Sequence, residues 1–134
     1  MKILITGVAG LIGSNIADYI LNTKDGVIVV GIDNLTGGYK ENINENVIFY
    51  EEDLLNFSKI RDIFKEHKFD YIFHFAAYAA EGLSPFIRKF NYKNNLLVTT
   101  NLVNLSIEFN IKRFIFTSSM ATYGNGNNDD AAFT

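Results

Sequence analysis

Three glycines at positions 7, 10 and 13, within Thr6-Gly7-Val8-Ala9-Gly10-Leu11-Ile12-Gly13, carry the first chemical signal in the chain. They stand where an apolar run gives way to a helical pattern, and there glycine has physical work to do. A tight turn needs unusual φ, the backbone must come close to a bound phosphate, and the helix must lie close to the strand. An anion at this turn meets the free amides of a helix N-terminus. The spacing is GxxGxxG, one residue longer than the common dinucleotide GxGxxG. Asp33 closes the next apolar run, 20 residues beyond Gly13, the offset at which a carboxylate takes hydrogen bonds from a ribose hydroxyl. Asn34, Leu35 and Thr36 follow it, with no Arg to receive a 2′-phosphate. The charge pattern therefore favours NAD over NADP. The hydroxyls of Ser118 and Ser119, at the end of a later apolar run, can satisfy backbone groups at a strand end.

These residues need a scaffold, and the pattern supplies one. Short β-rich runs alternate with helical stretches, the sign of βαβ units and a parallel sheet covered on both faces. Strands are predicted over 2–6, 27–32, 47–50, 71–75 and 113–116. Helices are predicted over 11–22, 57–67 and 85–109. Ile12, Ile16, Tyr19 and Ile20 supply the apolar stripe of the first helix, and Ile60, Ile63 and Phe64 that of the second. Ser84 is expected to cap the third helix, with Pro85, the only proline, at its first position. The segment 34–46, rich in Gly and Asn, reads as a loop. Right-handed crossovers give the sheet order 3-2-1-4-5, the first five strands of a doubly wound, Rossmann-type α/β fold. One domain over 1–134 is expected, cut short before the last strands, because strand 5 would otherwise end the sheet as an apolar edge.

Composition excludes other classes. With 48% apolar and 20% charged residues the chain has the makeup of a globular domain, not of a disordered segment. A net charge of -3 lacks the basic excess that nucleic acid or anionic lipid requires. There are no cysteines, so disulfides and thiolate metal sites are absent and a cytoplasmic location is the default. The evenly spaced glycines after Met1-Lys2 argue against a signal peptide. No apolar run reaches the roughly 18 residues of a membrane-spanning helix. Asp129 and Asp130 have no further ligand at hand for a metal, and His74 and His67 read as packed or helix-end residues.

TGxxGxxG, Asp33, Asp53-Leu54, His74-Phe75-Ala76-Ala77 and Thr117-Ser118-Ser119 followed by Tyr123-Gly124 occur in order. Together they make the chain resemble the extended short-chain dehydrogenase/reductases, and within them the NAD-dependent sugar-nucleotide epimerase/dehydratase group. The resemblance covers essentially the whole chain. It implies that Gly7, Gly10 and Gly13 hold the pyrophosphate and that Asp33 binds the adenosine ribose, with Leu11, Ile12 and Asn34 as further cofactor-binding residues. Asp53 and Leu54 would flank the adenine, while Ala76, Ala77 and Tyr78 pass along the middle of the cofactor. Asn95 would stand toward the nicotinamide half, and Thr117 is a further implied cofactor-binding residue. Ser119 is the implied catalytic residue, donating a hydrogen bond to the sugar oxygen. Dehydratases of the group carry an Asp-Glu pair directly after this hydroxyl, where this chain has Met120 and Ala121. That departure points to epimerisation of a nucleotide sugar, with a UDP-hexose 4-epimerase type leading. Family members commonly pair as homodimers through the third helix.

The family's base is a Tyr with Lys four residues on, the ammonium lowering the phenol pKa. None of the seven tyrosines here has that lysine, and Tyr123 is followed at that place by Asn127. The expectation is a fragment that holds NAD without turnover. The alternatives are a non-catalytic dinucleotide-binding module and a dehydratase or reductase of the same family.

Overall fold

The computed structural model describes residues 1–123. The expected tail 125–134, with Asn127, Asp129 and Asp130, and also Gly124, lies outside them. Five strands form one parallel sheet: β1 (Lys2–Thr6), β2 (Ile28–Asp33), β3 (Ile48–Glu51), β4 (Tyr71–His74) and β5 (Arg113–Phe116). Their order is β3-β2-β1-β4-β5, as the crossover rule predicts. Strand bounds differ from the sequence reading by no more than one residue at either end.

Alternation along the strands feeds two cores. Ile3, Ile5 and Val29 face α1 (Leu11–Thr23), meeting Ala17 and Ile20. Leu4, Val30, Ile32 and Ile72 face the other way, against Ile60, Ile63 and Phe64 of α2 (Phe57–His67) and Val98, Leu102 and Leu105 of α4 (Val98–Glu108). Both faces of the central strands are covered, which is why those strands read as unbroken apolar runs.

Two expectations about helices are corrected. In α1 the residues turned to the sheet are Gly13, Ser14, Ala17 and Ile20, whereas Ile12 and Tyr19 are exposed. Close approach of this helix to the sheet requires small side chains, so Gly13 and Ala17 displace the larger apolar residues from the contact. The third helix does not start at Pro85. It starts at Arg88, with α3 (Arg88–Asn91) running through a π-helical stretch (Tyr92–Leu97) into α4. Ser84 caps nothing: its hydroxyl donates to the Ala80 carbonyl at 3.3 Å and accepts from Asn91 Nδ2 at 3.1 Å. Pro85 lies in the turn that precedes the helix, where the Phe86 and Ile87 amides both return to the Leu83 carbonyl. Among the described residues no helix is long and apolar enough to cross a membrane.

Candidate functional site

The sheet order reverses between β1 and β4, and in such sheets ligands bind beyond the carboxyl ends of the strands at the reversal. A cleft opens there. Thr6 ends β1, and Gly7 follows with φ +71° and its α-carbon against Ala76; a Cβ on Gly7 would stand 2.7 Å from the Ala76 nitrogen. The Gly10 amide closes the turn on the Gly7 carbonyl at 3.1 Å. Gly13 is held tighter still, since a Cβ there would lie 2.1 Å from the Gly7 oxygen. Gly10 begins α1 without any side-chain cap, and the first turn carries no acidic residue. The amides of Leu11, Ile12 and Gly13 precede the first bond of the helix, Ser14 to Gly10, and so have no partner within it. The turn offers an anion what it needs: uncapped amides, the positive end of a helix dipole and no obstructing side chain.

Asp33 stands beside this turn at the end of β2. Its Oδ2 accepts from the Ala9 amide at 3.0 Å and its Oδ1 from the Leu35 amide at 2.8 Å. A carboxylate has about four lone-pair sites, so capacity for a ribose hydroxyl remains. The Ala9 carbonyl in turn accepts from the Tyr39 amide at 3.2 Å and from Asn42 Nδ2 at 3.0 Å. Gly38 passes so close that a Cβ would be 2.6 Å from the Ala9 carbonyl carbon. The glycine turn and the loop after β2 thus share one joint at Ala9.

Across the cleft, Asp53 Oδ1 accepts from the Leu55 amide at 2.8 Å, and Leu54 is buried. Glu52 braces this corner: its Oε1 accepts from the Asp53 amide at 3.1 Å and its Oε2 pairs with Lys59 at 2.8 Å. The hydrogen bond from Lys59 holds the Glu52 carboxyl below the usual range, against the opposing effect of burial. On the β4 side the cleft is walled by Phe75, Ala76, Ala77 and Tyr78, and by Phe90, Asn94 and Val98 of the helix.

Nine of the expected residues therefore meet in one cleft: Gly7, Gly10, Asp33, Asn34, Asp53, Leu54, Ala76, Ala77 and Tyr78. Leu11, Ile12 and Gly13 are not among the residues that line it: they make the first turn of α1, with the Leu11 and Ile12 side chains exposed and Gly13 buried against Gly7. Asn95 does not line the cleft wall. Its side chain grips Tyr78 instead, Oδ1 accepting from the Tyr78 amide at 2.8 Å and Nδ2 donating to the Tyr78 carbonyl at 3.0 Å, while its neighbour Asn94 lines the wall. Thr117 and Ser119 lie just past β5, exposed and outside this cleft; the Ser119 carbonyl accepts from Thr122 at 3.1 Å. Parallel pairing of β4 with β5 puts them at the same end of the sheet as Ala76. The sequence reading missed Thr36, Gly37, Gly38 and Glu52 as cleft residues. A glycine pair after Asp33 was the available signal for the loop's close approach. Among the described residues that line the cleft there is no Lys or Arg, and among the described residues no cluster of His, Cys, Asp and Glu could hold a metal.

His74 is buried, 2% exposed, and burial pushes its pKa down to about 4. It takes no part in the cleft surface. His67 is also buried and bonds the Tyr50 hydroxyl at 2.8 Å, in keeping with a structural reading of both residues.

Comparison with known proteins gives the site its context. The sequence profile of the NAD dependent epimerase/dehydratase family matches residues 3–134. A UDP-glucose 4-epimerase of Halalkalibacterium halodurans is 36% identical over 124 residues, covering 92% of this chain and 36% of that protein. One from Caenorhabditis elegans is 33% identical, covering 92% of this chain and 39% of that protein. Among solved structures, UDP-glucose 4-epimerase of Thermotoga maritima with UDP-glucose superposes with TM-score 0.89 at 36% identity, over 96% of this chain and 41% of that one. The Thermus thermophilus enzyme in complex with NAD superposes with TM-score 0.90 at 31% identity, over 98% of this chain and 42% of that one. The chain spans about two fifths of the length of the relatives it matches.

Proposed function

Because the chain belongs to the NAD-dependent epimerase/dehydratase family, we propose that residues 1–134 are the NAD-binding domain of a nucleotide-sugar epimerase of the UDP-hexose 4-epimerase type. The observation that carries the reading is the joint between Asp33 and Ala9, which sets a ribose-binding carboxylate directly against a glycine turn shaped for a pyrophosphate. Gly7, Gly10 and Gly13 leave the cradle that a Cβ would fill. The first-turn amides of α1 hold the pyrophosphate there, Asp33 with Asn34 the adenosine ribose, and Asp53 with Leu54 the adenine. Ala76, Ala77 and Tyr78 bound the middle of the cofactor. NAD, when bound, supplies the hydride acceptor that this class of sugar chemistry uses. The Asp33 carboxylate repels a 2′-phosphate, and among the described residues that line the cleft no Lys or Arg receives one, so the preference is for NAD.

Ser119, at the same sheet end as Ala76, orients the sugar oxygen by hydrogen bonding. Met120 and Ala121 stand where a dehydratase has an acid pair, which favours epimerisation over elimination. Without a Tyr and Lys spaced four apart these residues bind NAD but have no base of the family kind. Exposed Leu96, Val103 and Ile107, spaced along one helical face, suit pairing with a second copy. Sedimentation equilibrium of wild type against Val103→Glu tests that pairing; equal masses would refute it.

Isothermal titration with NAD and NADP tests the cofactor reading. Saturable NAD binding, at least tenfold tighter than NADP, is expected. Absence of NAD binding by folded protein, or equal affinity for both, refutes it.

A further inference from the structure

The buried polar groups around β4 form one directed chain of hydrogen bonds, and the cleft function described above leaves it unused. Thr99 Oγ1 donates to the Asn95 carbonyl at 2.6 Å, one turn back along the helix. Its single proton is thereby committed, so toward His74 Nε2, 2.9 Å away, it can only accept. Nε2 therefore carries the ring proton, and in a neutral imidazole Nδ1 is then a bare acceptor. The Thr6 hydroxyl, 2.7 Å from Nδ1, donates to it and accepts from the Ala76 amide at 3.3 Å. The path runs from the Ala76 amide through Thr6, His74 and Thr99 to the Asn95 carbonyl.

Both ends of this path hold the same stretch of cleft wall. Ala76 starts it, and the Asn95 side chain grips the amide and carbonyl of Tyr78 two residues on. The helix bearing Thr99 and Asn95 passes through its π-helical stretch at this point, Val98 bonding back to the Lys93 carbonyl. Such insertions bring side chains to places a regular helix would not. Here the helix offers Asn94 to the cleft and Asn95 to Tyr78 from adjacent positions. One imidazole joins the end of β1, just before the glycine turn, to that helix.

We propose that His74 is a positioning residue for the cofactor cleft: as the neutral Nε2–H tautomer it holds the Ala76–Tyr78 wall in register with the helix that carries Asn94 and Asn95. The role rests on the NAD reading of the cleft for its effect on binding. It does not rest on that reading for its effect on the wall.

The test compares wild type with His74→Gln, whose amide offers an acceptor and a donor like the neutral ring, and with His74→Phe, which offers neither. Thr99→Val breaks the path with a milder change and serves if His74→Phe fails to fold. Two quantities are measured: amide hydrogen exchange at Ala76 and Tyr78 without ligand, and NAD affinity. In His74→Phe or Thr99→Val, exchange at both amides should speed by about tenfold or more, the weight of one lost hydrogen bond. Exchange at Leu4 and Val30 should hold, and NAD affinity should fall by a similar factor. His74→Gln should stay within about threefold of wild type in both measures, as a preserved bond pair requires. Wild-type exchange at Ala76 and Tyr78 in Thr99→Val, or a His74→Gln protein as impaired as His74→Phe, overturns the proposal. Failure of wild type to bind NAD would overturn the cofactor reading alone, because the exchange data still decide whether His74 positions the wall.

Discussion

The Asp33 carboxylate accepts the Ala9 amide at 3.0 Å across a sequence separation of 24 residues, so the end of β2 and the glycine turn are tied directly to each other. A carboxylate at this place does two jobs. It presents its remaining lone pairs to the cleft, and it ties down the glycine turn through the Ala9 amide.

Asp33→Ala should therefore cost more than a ribose contact. Two amides, of Ala9 and Leu35, lose a charged acceptor, each such bond being worth about 1.5–3 kcal/mol. NAD affinity should drop by about thirtyfold or more, while NADP affinity drops less because a like charge has been removed. Titration of both dinucleotides checks this, and unchanged affinity for each would count against the assignment of Asp33.

The glycines of the turn should not be equivalent. A Cβ at Gly13 would enter the Gly7 carbonyl at 2.1 Å, with backbone on both sides and no flexible atom to yield, whereas at Gly10 the same atom would sit 3.3 Å away. Gly13→Ala should destabilise the fold by about 3 kcal/mol, the upper part of the overpacking range, and abolish NAD binding. Gly10→Ala should cost less than about 1 kcal/mol, since a small shift relieves it. Urea midpoints of the two variants give the comparison.

His74 sets an acid limit on stability. Burial lowers its pKa from 6.5 to about 4, so between those values the unfolded chain binds a proton that the folded chain refuses. The stabilisation is complete above about pH 6.5 and is lost as pH falls toward 4, on the order of 3 kcal/mol in all. The groups around the ring are Thr6, Thr99, Phe114 and Phe116, none of which titrates in that range. His74→Gln removes the titration, so the difference in unfolding free energy between wild type and this variant should change across pH 4–6.5 and be flat above pH 7. A flat difference throughout would refute the assignment.

Most of the scaffold was legible because it rests on local pattern. Unbroken apolar runs at Leu4, Val30 and Ile72 mark strands buried on both faces, and the spacing of Ile60, Ile63 and Phe64 marks the inner face of α2. That the glycine turn and Asp33 would meet was legible because both stand at the carboxyl ends of neighbouring parallel strands. What escaped depends on particular contacts that periodicity and composition do not register. Of the expected stripe Ile16 and Ile20 do pack on the core, but Ile12 and Tyr19 are exposed, because the small residues Gly13, Ser14 and Ala17 take the close contact. Ser84 has the composition of a cap, yet its hydroxyl is taken by the Ala80 carbonyl. The π-helical stretch leaves no mark in composition; Asn95, which the family resemblance implied, binds the Tyr78 backbone while Asn94 lines the cleft.

Turnover is the sharpest test of what the chain does unaided. An epimerase must remove the proton of a sugar hydroxyl, and in this family a Tyr does so with a Lys four residues on to lower its pKa. Tyr123 has Asn127 at that distance, and the other six tyrosines lack the lysine too. Ser119 can orient an oxygen but is a poor base at neutral pH. The 134-residue chain, supplied with NAD and UDP-galactose, should bind the dinucleotide and form no UDP-glucose. Ser119→Ala should leave its NAD affinity within about twofold, because Ser119 lies outside the cleft wall. A coupled assay of UDP-glucose formation decides the point: product above the background without protein would mean that another group serves as base.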